Sequence, residues 1–167
     1  MEIKLRIFEL SRESRSYSEK EMVRRFNAKC FRLGVVPPTI KFSERVKIDS
    51  PFAASQFNAI IFPPSWLECG FDKNDLDSIC SHELAHIMLK NDEVDSLAEE
   101  VRTDALAAEL ANNRRLYVKT FTLLRNSVSY DSEKYAELDA RVNALATHSI
   151  PKDIVAIICK LNTGIKR

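Results

Sequence analysis

Glycine is scarce in this 167-residue chain: three residues are Gly, while 45% are hydrophobic and 29% charged. The low glycine content favours helices, and the overall balance excludes a disordered or collagen-like chain. The cysteines Cys30, Cys69, Cys80 and Cys159 form no CxxC pair, which argues against a cysteine-based zinc module and a disulfide-stapled secreted domain. We therefore expect a single domain over residues 1–167 in a reducing, cytoplasmic setting.

Long apolar runs are also missing. The longest apolar stretch beyond the N-terminus, residues 59–67, contains Pro63 and Pro64 and is far shorter than the ~20 residues that span a bilayer. Charged residues interrupt the apolar positions of the first ten residues, unlike the continuous apolar core of a signal peptide. We expect neither membrane insertion nor export.

Charge is unevenly distributed, although the net charge is only +1. Residues 68–109 contain twelve Asp or Glu and three Lys or Arg, and such an acidic segment favours cations and basic peptides as partners. The basic flanks have no dense Lys/Arg run and no interleaved aromatics, so the sequence does not favour nucleic-acid binding. The oligomeric state is left open.

Periodicity and turn residues predict an α+β fold. The expected sheet is short, N-terminal and antiparallel or mixed, and it is followed by an active-site helix near 73–90, a second ligand helix near 92–112 and a helical C-terminal part. Pro63 and Pro64 end the segment 56–62, which points to an edge strand because proline cannot donate to a sheet ladder. The predicted secondary-structure elements are strands at 3–7, 39–43, 45–48 and 56–62, and helices at 18–34, 73–90, 92–112, 116–126, 133–147 and 152–162.

The chemistry-bearing motif is an HExxH pattern in the first of the two central helices, formed by His82, Glu83 and His86. Residues four apart share a helix face, so both imidazoles can reach one zinc ion. Glu83 is rotated by ~100° from His82, which makes it a general base beside the open coordination position and not a third ligand.

The third ligand is expected from the acidic helix that follows. A metzincin would continue HExxHxxGxxH, but Leu89 and Asp92 stand at the glycine and third-histidine positions, so that class is excluded. Helix phase selects Glu100 as the metal ligand, with Glu99 as the alternative. Asp104 lies one turn after Glu100 and can accept the second N–H of a ligand imidazole.

The two motifs together resemble the gluzincin metallopeptidases, and specifically the small ImmA/IrrE-type domains and minigluzincins. Their second motif reads approximately ExxA(D/N)xxAA, and here Glu100, Asp104, Ala107 and Ala108 match it while Thr103 replaces an alanine. The resemblance covers about residues 56–112. It implies a zincin-like fold with a catalytic core at about 36–112 and C-terminal helices at about 114–163.

The same resemblance implies roles for individual residues. Zinc would be held by His82, His86 and Glu100, with Glu83 as the general base. The edge strand near 56–62 would pair with the backbone of an extended substrate, through Gln56, Phe57, Asn58, Ala59 and Ile60.

The sequence therefore predicts a zinc-dependent peptidase of gluzincin type, in which a zinc-bound water attacks a peptide bond of a peptide or protein substrate and Glu83 accepts the proton. The alternatives are a non-catalytic, zinc-stabilised protein- or DNA-interaction module, and a regulatory protease of SprT-like or phage-borne type. Tyr117, Tyr130 and Tyr135 are candidates for stabilising the oxyanion.

Overall fold

The computed structural model describes residues 18–43, 50–67, 70–91, 96–147 and 150–164. Within these ranges the chain is an α+β protein with six α-helices and a small three-stranded mixed sheet, and most of it is helical. The strands predicted at 3–7 and 45–48 lie outside the described residues. None of the described helices combines the length and the apolar character that a membrane span requires.

The sheet has the order β1-β3-β2, with strands β1 (Thr39–Phe42), β2 (Phe52–Ala54) and β3 (Ala59–Phe62). Strand β3 pairs in parallel with β1 and antiparallel with β2. The prediction of an edge strand at 56–62 is therefore wrong: Ser55–Phe57 forms a short 3₁₀ turn, and the rest of the segment is the central strand. An unbroken apolar run is typical of a strand covered on both faces, and the two prolines only end its ladder.

Helix α1 (Glu19–Arg32) begins as predicted, because the Ser18 hydroxyl accepts a hydrogen bond from the backbone N–H of Glu21. This bond satisfies one of the N–H groups that a helix start leaves unpaired. The apolar face of α1, which includes Met22, Phe26 and Cys30, is buried in the main core.

The centre of the molecule is α2 (Lys73–Leu89), which starts at a reciprocal capping box between Asp72 and Asp75. Nearly every residue of α2 from Asp75 to His86 is buried, so this helix is enclosed by its neighbours. It ends at Leu89, followed by Lys90 in the left-handed conformation at a φ of 56°, within one residue of the predicted end.

Helix α3 (Leu97–Leu110) is capped by Ser96 and so begins later than the predicted residue 92. It packs against α2 and against the later helices. The three predicted C-terminal helices are confirmed within two residues at their ends, as α4 (Arg114–Ser127), α5 (Glu133–Ala146) and α6 (Lys152–Gly164). Helix α5 packs on both α3 and α4. These contacts place it next to the HExxH region of α2.

Candidate metal centre

The two histidines of the HExxH pattern lie on the same face of α2, one turn apart, and both are buried. Their Nε2 atoms are 2.9 Å from each other, and their rings meet edge to face with centroids 4.5 Å apart. The helix therefore presents two imidazole nitrogens at a single point.

The other nitrogen of each ring faces a hydrogen-bond acceptor. His82 Nδ1 is 3.0 Å from Asp104 Oδ1, and His86 Nδ1 is 3.0 Å from the carbonyl oxygen of Asn91. An Nδ1 that faces an acceptor carries the hydrogen in the neutral ring, which leaves the lone pair on Nε2. Burial and the neighbouring His82 lower the pKa of His86, which favours this neutral form.

Glu100 completes the cluster from the first turn of α3. Its Oε2 is 3.5 Å from His82 Nε2, and its Oε1 is 3.9 Å from His86 Nε2. Oε2 is buried and accepts no hydrogen bond from the described residues, although it lies 2.9 Å from Arg141 Nη2 in an ion pair. The alternative ligand, Glu99, is exposed and lies beside the capping Ser96 instead.

His82, His86 and Glu100 offer ligand atoms within 4.8 Å of one another and can bind a metal ion. Two imidazole lone pairs and a carboxylate facing one another repel unless a cation lies between them. The 2.9 Å distance between the two Nε2 atoms and the position of the Glu100 carboxylate opposite both of them thus fit a metal with nitrogen and oxygen ligands.

Asp104 lies one turn after Glu100 and is fully buried. Its Oδ1 accepts hydrogen bonds from Tyr117 Oη at 2.7 Å and Arg141 Nη2 at 2.9 Å, in addition to facing His82 Nδ1, and its Oδ2 accepts one from Arg141 Nε at 2.7 Å. Burial alone would raise the pKa of Asp104, but the Arg141 charge and the bonds from His82 and Arg141 hold it well below its usual range. The carboxylate therefore stays ionised and fixes the His82 ring.

Two residues of this environment were not assigned their roles by the sequence. Arg141 of α5 is 4% exposed and contacts both Glu100 and Asp104. Tyr117 of α4 is fully buried with its hydroxyl on Asp104 and 3.1 Å from His82 Nδ1, so it supports a candidate ligand and does not line the cavity. Tyr130 is exposed and packs against Tyr135, and neither of these lines the cavity.

Glu83 lies beside the three candidate ligands without belonging to them, and its side chain lines the same cavity. Burial raises the pKa of Glu83 to about 7, with Glu100 adding to the rise, while His82, Arg141 and a hydrogen bond from the Ala53 backbone act in the opposite direction. The carboxyl group is thus more easily protonated than that of an exposed glutamate.

The cavity in front of these groups has a volume of about 320 Å³. Its wall includes Phe52 and Ala53 of β2, together with apolar residues of α2, α4 and α5. Of the predicted substrate-binding residues, Gln56, Phe57, Asn58, Ala59 and Ile60, none lines it. Among the strands that the structure describes, the sheet edge beside the cavity is β2, because β3 is paired on both sides.

Comparison with protein-family models, with curated proteins and with solved structures gives no match for this chain. The geometry of the cluster is therefore what supports a functional interpretation.

Proposed function

We propose that the protein is a zinc-dependent peptidase of gluzincin type, acting on peptide or protein substrates. The observation that carries the proposal is the position of Glu83: a buried carboxyl group faces the cavity beside the candidate ligands but is not one of them. A structural zinc site has four protein ligands and needs no such group, whereas a catalytic site has three and keeps an open position.

Zinc is the metal that the ligand set favours. Two imidazole nitrogens and one carboxylate from His82, His86 and Glu100 form a donor set common in catalytic zinc sites. When bound, zinc supplies a Lewis acid that polarises a carbonyl group and acidifies water. The chain keeps both rings in the tautomer that leaves Nε2 free, through Asp104 and Asn91.

Glu83 is the proton carrier in this proposal. A general base works best when its pKa lies near the working pH, and burial raises the pKa of Glu83 to about 7. A hydrogen bond from the backbone of Ala53 links the Glu83 carboxylate to β2. Glu83 is therefore suited to accept a proton from water and to pass it to the leaving amine.

The cavity suggests which peptides to test. Its apolar wall includes Trp66, Ile79, Phe121, Leu124 and Leu138, which suits a large apolar side chain. Strand β2 offers backbone groups at a sheet edge, where an extended peptide can add as a further strand.

The acidic segment 68–109 predicted a preference for basic peptides. Among the acidic residues of this segment that the structure describes, Glu83 and Glu100 line the wall, and two basic residues, Lys134 and Arg141, line it as well. We therefore give priority to extended peptides with apolar residues, and use Lys- and Arg-rich peptides as the comparison.

The test is a pair of measurements on the purified chain. Native mass spectrometry should find about one zinc per chain, and a peptide library should reveal cleavage. The Glu83→Gln variant should keep its zinc and its fold and lose turnover by about 10² to 10⁴-fold, the usual contribution of a general base.

Glu99→Gln is the matched control, because it makes the same change at an exposed position on α3 and should leave turnover unchanged. Equal turnover in the wild type and Glu83→Gln contradicts the assigned role of Glu83. Zinc binding without cleavage of any peptide by the wild type would favour a non-catalytic, zinc-stabilised interaction module.

A further inference from the structure

Arg141 is buried beside the candidate metal centre, and its guanidinium contacts three carboxylates. Nη2 lies 2.9 Å from Glu100 Oε2, Nε and Nη2 donate to the two oxygens of Asp104, and Nη1 donates to Glu137 Oε1 at 3.0 Å. Nη2 is also 3.4 Å from His82 Nε2. One side chain from α5 thus contacts two candidate ligands and the carboxylate that orients one of them.

Repulsion between the carboxylates of Glu100 and Asp104 explains why a positive charge is needed between them. Glu100 and Asp104 are one turn apart on α3, where like charges repel, and Asp104 is removed from solvent. A guanidinium between them offsets this repulsion. The Phe121 ring also packs against the guanidinium group, with its centroid 5.0 Å from the guanidinium carbon of Arg141.

The planar shape of arginine adds a geometric constraint. Its fixed fork can hold two carboxylates in one relative orientation, which a lysine ammonium cannot do. Arg141 binds Asp104 in a bidentate pair, since Nε and Nη2 donate to different oxygens of that carboxylate. The remaining side of Nη2 faces Glu100, so the position of Glu100 is tied to that of Asp104.

We propose that Arg141 is a positioning residue of the metal centre: by bridging Glu100 and Asp104, it aligns the carboxylate ligand with the oriented imidazole of His82. The inference rests on the metal centre of the proposed function and not on peptide hydrolysis. It assigns a role at the site to α5, outside the segment that contains the two sequence motifs.

The Arg141→Lys variant tests this, because it keeps the positive charge and removes the fork. We expect the variant to fold and its zinc affinity to fall about 10 to 100-fold, as for other losses of groups that orient ligands. Affinity is measured by competition with a chromophoric chelator. The visible absorption of bound Co²⁺, which reports ligand geometry, should also change.

Arg125→Lys is the matched control, since Arg125 of α4 also pairs with a carboxylate of a neighbouring helix, Asp139 of α5 at 2.7 Å, without contacting the cluster. It should change neither the zinc affinity nor the Co²⁺ spectrum. A second variant, Glu137→Gln, weakens the contact to Nη1 at a half-exposed side chain, and should lower zinc affinity severalfold even if Arg141→Lys folds poorly.

The possible failures are distinguishable. If the wild type binds zinc and both Arg141→Lys and Glu137→Gln bind it equally well with an unchanged Co²⁺ spectrum, the positioning role is overturned while the metal centre stands. If the wild type binds neither zinc nor Co²⁺, the proposed function and this inference are both overturned.

Discussion

Replacing Asp104 by Asn should show how strongly the buried charge cluster stabilises the fold. Asn has nearly the same volume as Asp, so the change removes a charge and leaves no cavity. Asp104 is fully buried and receives hydrogen bonds from Tyr117 and Arg141 while facing His82. Removing one partner of a buried ion pair typically lowers the free energy of unfolding by about 3–5 kcal/mol.

We expect the lower end of that range, about 3 kcal/mol, because Arg141 keeps its contacts with Glu100 and Glu137. For a chain of this size each kcal/mol shifts the melting temperature by about 2–4 °C, so Tm should fall by about 6–12 °C. Zinc affinity should fall about 10 to 100-fold, because the His82 ring loses the carboxylate that orients it.

The control is Asp153→Asn, which breaks an ion pair with a similar distance but on the surface. Arg102 Nε lies 2.6 Å from Asp153 Oδ2, and both side chains are at least one third exposed. Exposed pairs contribute little to stability, so this variant should unfold at nearly the same urea concentration as the wild type. Urea unfolding that gives both variants the same stability would refute the reasoning, since it would show that the burial and the additional hydrogen bonds of Asp104 do not stabilise the fold.

Three further changes test the site and the core. Glu100→Ala should abolish zinc binding in a chelator competition while Glu99→Ala leaves it intact; the reverse result would show that Glu99 is the ligand. Tyr117→Phe removes a hydrogen bond to a charged group, so urea unfolding should show a loss of about 1.5–3 kcal/mol, and an unchanged stability would mean that Asp104 does not depend on this hydroxyl. Leu106→Ala, at a fully buried core position, should lower the free energy of unfolding by about 2–5 kcal/mol without changing zinc affinity, and a loss of affinity would show that core packing and the site are coupled.

The sequence predicted the parts of the site that depend on helix periodicity. His82 and His86 lie four residues apart, and Glu100 and Asp104 lie four apart on the next helix, so each pair had to share a face wherever the helix began. This explains why Glu100 reaches the imidazoles although α3 starts at Leu97 and not near residue 92.

Long-range pairings could not be predicted in the same way. Arg141 is 37 residues from Asp104, and an arginine on an amphipathic helix usually faces solvent. The strand near 56–62 was misplaced for a related reason, because its neighbours in a sheet are set by tertiary contacts. The run Ala59–Phe62, apolar at every position, was the available signal that this strand is central.

The contact between α5 and α3 has a consequence for the order of events during synthesis. A ribosome adds about 5–20 residues per second, so about 2–7 s separate Asp104 from the Arg141 that neutralises it, 37 residues later. During that interval α2 and α3 can pair, but Asp104 can leave water only at a high electrostatic cost. We therefore expect the metal centre to mature late, once the α4–α5 hairpin docks on α2 and α3.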